Sequence, residues 1–129
     1  MNLMWQRCFR EMPHGNENDP SIESFIGKAN TDEVENICAY LNAGIPLVTC
    51  CGVSFDVIKP EKGIAGTPAM LTDGKRVWPG DLSYYVRNYL LALDPAFIAD
   101  MHKNTWKVDL PESTLDIQDI TIDGVKLFE

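Results

Sequence analysis

With 129 residues, of which 45% are hydrophobic and 23% charged, the chain has the length and composition of one globular domain with a substantial core, which excludes a disordered polymer. The net charge of −8 is concentrated toward the ends: residues 17–35 hold six acids against Lys28 and residues 109–129 hold six against Lys126, while residues 59–107 carry seven basic and five acidic side chains. Acidic flanks repel phosphate backbones and attract basic protein surfaces, so nucleic acid is a disfavoured partner and a basic protein a favoured one.

No apolar run approaches the roughly 20 residues that cross a bilayer. The longest, residues 45–53, is interrupted by Pro46, Thr49 and Gly52. The first residues lack the basic, apolar and small-residue zones of a signal peptide. The four cysteines, Cys8, Cys38, Cys50 and Cys51, do not have the spacing of a disulfide framework and read as reduced thiols. The cytoplasm is the expected compartment, with no membrane partner.

Residues 1–12 fit two templates. Met4, Cys8 and Met12 recur at helical spacing, whereas Trp5, Arg7, Phe9 and Glu11 would share one face of a strand. With the turn-forming stretch of residues 13–20, which contains His14, residues 1–29 read as an irregular N-terminal segment. Asn30 and Glu33 then form a capping box ahead of an apolar stripe of Val34, Ile37, Cys38 and Leu41, which predicts a helix over residues 31–43. Gly44 follows as a residue able to take positive φ, and Pro46 prevents continuation.

The apolar run of residues 45–58 predicts buried strand divided at Gly52, with Cys50 packed inside. The Asp73-Gly74 dipeptide predicts a type I′ turn in a hairpin over residues 68–78. Asp81 is an N-cap for a helix whose Leu82, Tyr85, Val86, Tyr89, Leu90 and Leu93 repeat at three and four residues. Asp94-Pro95 starts a second, short helix to about residue 103. At the C-terminal end, Asp123-Gly124 joins two short β segments in a hairpin that sets Ile122 opposite Val125 and Ile120 opposite Leu127. The expected fold is α+β: a central, mainly antiparallel sheet packed by two to three helices, with a C-terminal β-hairpin, in a single domain over residues 1–129 whose last part, 109–129, is an acidic segment.

Chemistry-bearing motifs are scarce. His14 and His102 have no cysteine or acid at a metal-ligand spacing, and His102 reads as a dipole partner near a helix C-terminus. Cys50-Cys51 lacks the two-residue separation of a redox pair and reads as strand packing. The nucleophile elbow, phosphate loop, dinucleotide fingerprint and zinc helix motifs are all missing, and the glycine-rich stretch 63–67 precedes no helix that would cradle phosphate. No catalytic residue, metal or cofactor is expected. Asp116 and Asp119 alternate with Ile117 and Ile120 as a solvated face. Trp78, Tyr84, Tyr85 and Tyr89 form an aromatic group in which Tyr85 and Tyr89 share the core stripe and Tyr84 points elsewhere, as does Arg87; tyrosine and arginine are residue types that anchor interfaces.

The run Leu71-Thr72-Asp73-Gly74-Lys75-Arg76-Val77-Trp78-Pro79-Gly80-Asp81-Leu82-Ser83-Tyr84-Tyr85-Val86-Arg87-Asn88-Tyr89, together with Ala39-Tyr40-Leu41-Asn42-Ala43-Gly44, resembles a block of small bacterial immunity proteins from toxin systems, including contact-dependent growth inhibition. The resemblance spans roughly residues 30–100. It implies an antitoxin-like, cytoplasmic inhibitor that neutralises a cognate toxin by protein-protein interaction, and it carries no residue-level motif. The expected function is therefore toxin neutralisation through an acidic surface, with Asp109, Glu112, Asp116, Asp119 and Asp123 as the first partner-binding face, Glu17, Asp19 and Glu23 as the rival, and Tyr84 and Arg87 as further contact residues. Two alternatives remain. One is a homo-oligomer, such as a homodimer, using the aromatic surface; the other is a small enzyme with a dispersed site around Cys50, Asp56, Asp73 and Tyr84, which a deep pocket joining those residues would favour.

Overall fold

The computed structural model describes residues 1–13, 15–111 and 115–127, and it has the expected α+β architecture. A curled six-stranded sheet runs β2 (Ile45–Thr49), β5 (Ala69–Thr72), β6 (Arg76–Pro79), β1 (Asn2–Trp5), β7 (Thr121–Ile122) and β8 (Val125–Lys126), in that spatial order. A second, two-stranded sheet pairs β3 (Ser54–Phe55) with β4 (Ile64–Gly66). Three helices, α1 (Val34–Asn42), α2 (Leu82–Tyr89) and α3 (Pro95–Lys103), complete the regular structure together with short 3-10 turns.

The main sheet is mixed because of β1. That strand lies between β6 and β7 and is parallel to both, while β2–β5, β5–β6 and β7–β8 are antiparallel. The N-terminal segment is thus not irregular throughout: its first residues are an interior strand, with Leu3 1% exposed. Four residues are too few to display a period, and the partners of β1 lie far away in the sequence, so local pattern gives no signal. After β1 the chain does become irregular, apart from a 3-10 turn at Ile22–Phe25 held by Glu11, whose carboxylate accepts the Ser21 hydroxyl at 2.5 Å and the Ile22 N–H at 2.8 Å.

Adjacent residues of β6 face opposite sides of the sheet. Trp78 enters the larger core with Ile37, Cys38 and Leu41 of α1, Leu82, Tyr85 and Val86 of α2, and Phe97 and Met101 of α3. Val77 enters a smaller core with Leu3, Leu47, Ile120 and Ile122. The Trp78 indole N–H donates to the Leu41 carbonyl at 3.0 Å and joins the Gly44 N–H in satisfying that acceptor at the end of α1. The same ring explains Gly44. Its φ is not positive, as the sequence suggested; instead a Cβ there would stand 2.5 Å from Trp78 Cζ2 and 2.9 Å from Leu71 Cβ.

Other local expectations are refined by tertiary contacts. Residues 31–33 form a 3-10 turn capped by the Asn30 side chain on Asp32 N–H, and the α-helix proper begins at Val34. The 68–78 hairpin is present, but Thr72 pairs with Val77, so four residues make its turn. Asp73 organises that turn by accepting the Lys75 and Arg76 N–H groups at 3.0 and 2.9 Å, an Asx arrangement that replaces the two-residue type I′ geometry. The 81–103 region breaks at Leu90, which has φ of 51°. The Tyr89 and Leu90 carbonyls left at that break accept the N–H groups of Gly27, Lys28 and Ala29. The C-terminal hairpin forms as expected: Asp123 and Gly124 both have positive φ, Ile122 faces Val125, and Leu127 N–H donates to Ile120.

Candidate functional site

The apolar run of residues 45–58 does not continue as one strand. Strand β2 ends at Thr49, and Gly52, with φ of 105°, turns the chain so that residues 53–57 leave the main sheet. A pocket of about 550 Å³ lies between the two parts. Val48, Ala69, Met70 and Pro79 line it from the main sheet, Trp5 from β1, and Val53, Phe55 and Val57 from the segment containing β3. Its volume falls within the range of small-molecule sites, and its walls are almost wholly apolar. Val53 and Phe55 remain 46% and 58% exposed, so an apolar rim faces solvent.

Besides Thr67 and Cys50, two polar side chains stand together in these walls, Asp81 and Ser54. Asp81 precedes α2, yet its side chain makes no capping bond. The residue is 6% exposed and contributes to the pocket. Burial pushes its carboxyl above the ordinary aspartate value, and the nearby Ser54 hydroxyl offsets part of that rise. Ser54 Oγ is itself buried without a partner in hydrogen-bond geometry; the hydroxyl therefore approaches the carboxylate without forming an aligned bond. Among the described residues that line the pocket there is no lysine, arginine or histidine, and Asp81 has no ion-pair partner.

A second cluster fixes the pocket's outer wall. Asp56, 1% exposed, accepts the Tyr84 hydroxyl at 2.7 Å, the Tyr89 hydroxyl, and the N–H groups of Ile58 and Lys59 at 2.8 Å each. Burial alone would raise this carboxyl, but the four hydrogen bonds outweigh it and hold it below the ordinary value. The Tyr85 hydroxyl donates to the Phe55 carbonyl at 3.3 Å and accepts the Val57 N–H at 3.0 Å. Three tyrosines of α2 thus clamp the segment that carries Val53, Ser54 and Phe55. Trp78 does not join them; it packs with Tyr40 and Phe97.

The four residues considered for a dispersed enzyme site are not united. Cys50 lines the pocket, Asp56 and Tyr84 belong to the tyrosine clamp, and Asp73 accepts the Tyr40 hydroxyl at 2.5 Å beside a separate cavity of about 240 Å³. Cysteine burial also departs from expectation. Cys38 is buried, whereas Cys50 and Cys51 are exposed because they sit in the connection after β2 rather than in a buried strand.

The expected partner-binding residues occupy several places. Asp109 is exposed beside the smaller cavity, and Glu112 lies outside the described residues. Asp116 caps a 3-10 turn, the exposed Asp119 accepts the N-terminal ammonium through its carbonyl, and Asp123 accepts the Trp5 N–H at 3.2 Å. Asp19 receives the Asn16 N–H, while Glu17 and Glu23 are exposed. Burial pushes the Cys8 thiol up to about 11, and the negative charges of both Asp19 and Asp123 add to the rise. One residue of each acidic stretch, Asp19 and Asp123, thus acts on Cys8. Tyr84 and Arg87 do not form a free anchor pair: Tyr84 is committed to Asp56, and Arg87 forms a two-pronged ion pair with Glu35 of α1. His102 lies against Glu33 and the Trp106 ring.

No helix among the described residues is long and apolar enough to cross a membrane, and no three of their potential metal-ligating side chains gather. No family model, curated protein or solved structure matches the chain.

Proposed function

We propose that this chain is a stoichiometric inhibitor of the immunity type, which binds a basic bacterial toxin domain in the cytoplasm and covers it with an acidic face. The observation that carries the reading is that Asp19 and Asp123, from opposite ends of the chain, both act on the Cys8 thiol. Asp123 accepts the Trp5 N–H, and the carbonyl of Pro20, beside Asp19, accepts the Arg10 N–H. Acids on one surface favour encounter with a basic partner and oppose approach by another acidic protein. Asp119, hydrogen-bonded to residue 1 through its backbone, stands at the other end of β7 from Asp123 and adds a further exposed acid to that strand. The net charge of −8 acts in the same direction.

Co-purification with the product of the adjacent upstream gene, and a growth assay expressing that product with and without this chain, test the proposal. A tight complex and rescue of growth are expected. Neutralising Asp19, Asp116, Asp119 and Asp123 to asparagine together should slow association about tenfold at low salt and flatten its salt dependence. A chain that forms no complex and restores no growth, or a neutralised variant that associates as fast as the parent, refutes the reading.

A further inference from the structure

We infer that the 550 Å³ pocket is a binding site for a small primary amine with an apolar body, whose ammonium is received by Asp81 with Ser54 beside it. This inference is independent of the acidic face. The pocket's walls are mainly apolar, with Thr67 and Cys50 as the other polar side chains of the lining, so a ligand that fills it must present hydrocarbon or an aromatic ring to Val48, Met70 and Phe55. At the polar point stands a nearly covered carboxylate with no ion-pair partner, next to a buried hydroxyl with no bond of its own. A buried charge in an apolar wall is unfavourable unless an opposite charge or a set of hydrogen bonds reaches it. The described lining supplies no cation, and a cationic ligand would bring one.

The sign of that charge selects the ligand. An anion would meet Asp81 without a counter-charge, and a neutral alcohol would form one ordinary hydrogen bond. An ammonium has three donors: it neutralises the carboxylate and also reaches the free acceptor capacity of Ser54 Oγ. The apolar walls narrow the choice further: an arylalkyl or branched alkyl amine presents a ring or a branched body to Val48, Met70 and Phe55 as well as an ammonium to the carboxylate, which the unbranched methylenes of a lysine side chain do less fully.

The test uses the full chain and three matched probes: 2-phenylethylamine, 2-phenylethanol and 3-phenylpropionate. Binding is read by backbone amide shifts and by the rise in Tm with probe concentration. The amine should bind saturably, shift Ser54, Gly80 and Asp81, and exceed the alcohol by about tenfold, the difference between a charge-assisted and a neutral hydrogen bond. The anion should not bind. Asp81→Asn should lower the amine to the level of the alcohol while leaving the alcohol unchanged, which also shows that the pocket survives. Val53→Lys, at a position 46% exposed and so tolerant of a polar side chain, is the second variant. It brings a competing ammonium to the rim and should weaken the amine several-fold with little effect on the alcohol. Equal binding of amine and alcohol, an amine preference that survives Asp81→Asn, or shifts confined to the acidic residues around Cys8 would overturn the inference.

Discussion

Removing the Asp56 carboxylate should unlatch the pocket's outer wall from α2, and the size of the effect follows from its hydrogen bonds. Asp56→Ala strands two backbone N–H groups, Ile58 and Lys59, and frees the hydroxyls of Tyr84 and Tyr89. The hydroxyls regain water because both tyrosines are only partly buried, so each should cost about 1 kcal/mol; the amides, bonded to a charged acceptor, should cost nearer 1.5 each. The total of about 4–5 kcal/mol is a large share of the ~5–15 kcal/mol that stabilises a typical domain. Asp56→Asn keeps an acceptor for the amides and should cost less than half as much. Urea unfolding followed by tryptophan fluorescence measures both, and a double-mutant cycle isolates the tyrosines. Tyr84→Phe should cost about 1 kcal/mol in the parent and almost nothing in Asp56→Ala. The pH dependence provides a second readout. The folded carboxyl lies below its ordinary value of 3.8, so its contribution is fully present above that value and is lost as pH falls through the lower folded one. The acid limb of the stability curve should flatten in Asp56→Asn. An Asp56→Ala loss under 1 kcal/mol, or a Tyr84 effect undiminished in that background, would refute the clamp.

Three further outcomes are expected. Gly44→Ala places a methyl against Trp78 and Leu71 at core-clash distances and should lower stability by about 1–3 kcal/mol, read as a lower urea midpoint with unchanged slope; a neutral result would mean the ring shifts freely. Asp100→Ala removes the ion-pair partner of Arg76, whose side chain is 6% exposed, as well as that of the exposed Lys75, and should cost roughly 2–3 kcal/mol, below the ~3–5 of a fully buried pair because Asp100 is itself partly solvated. Arg76 and Lys75 hold the Asp100 carboxyl below its ordinary value, so the native pair should lose this contribution in acid, whereas the variant should not. In thiol labelling near pH 8, the exposed Cys50 and Cys51 should react first, and the buried Cys38 should react only on opening. Cys8, its thiol pushed up to about 11, should lag behind them; equal rates at all four would contradict the placement of residues 50–53.

Local chemistry made much of the fold legible. The Asp94-Pro95 cap, the Asp123-Gly124 turn and the apolar stripe of α1 depend on neighbours in sequence, and each is where the pattern put it. What local chemistry could not convey is contact between distant segments. Strand β1 is specified by β6 and β7, not by its own four residues. Gly44 looked like a backbone device and is a packing one, because Trp78 returns to it from 34 positions away in the chain. Likewise, Asp19 and Asp123 could only appear as competing faces until the fold brought their charges to one cysteine.

The pocket was hidden for a related reason. An apolar run predicts removal from water but does not say what covers it, and Val48 through Val57 have the same composition whether they fill a core or line an open cavity. The informative residues were the ones that broke the pattern. Gly52 interrupts a run that would otherwise continue as strand, and its positive φ is what carries Val53 and Phe55 out of the main sheet. Asp81 has the sequence position of a helix cap but makes no capping bond; its carboxylate stands instead in the apolar wall. A capping aspartate would stabilise α2 by satisfying a free N–H, usually by about 1 kcal/mol. Here that gain is forgone while the cost of a covered charge is incurred, a combination that the stability of α2 does not account for and that a cationic ligand would resolve. Asp81→Asn offers a direct discrimination on the protein alone: it should leave stability unchanged or raise it, since no capping bond is lost and a carboxyl that burial disfavours as an anion is replaced by a neutral amide, whereas a purely structural aspartate would make the same substitution destabilising.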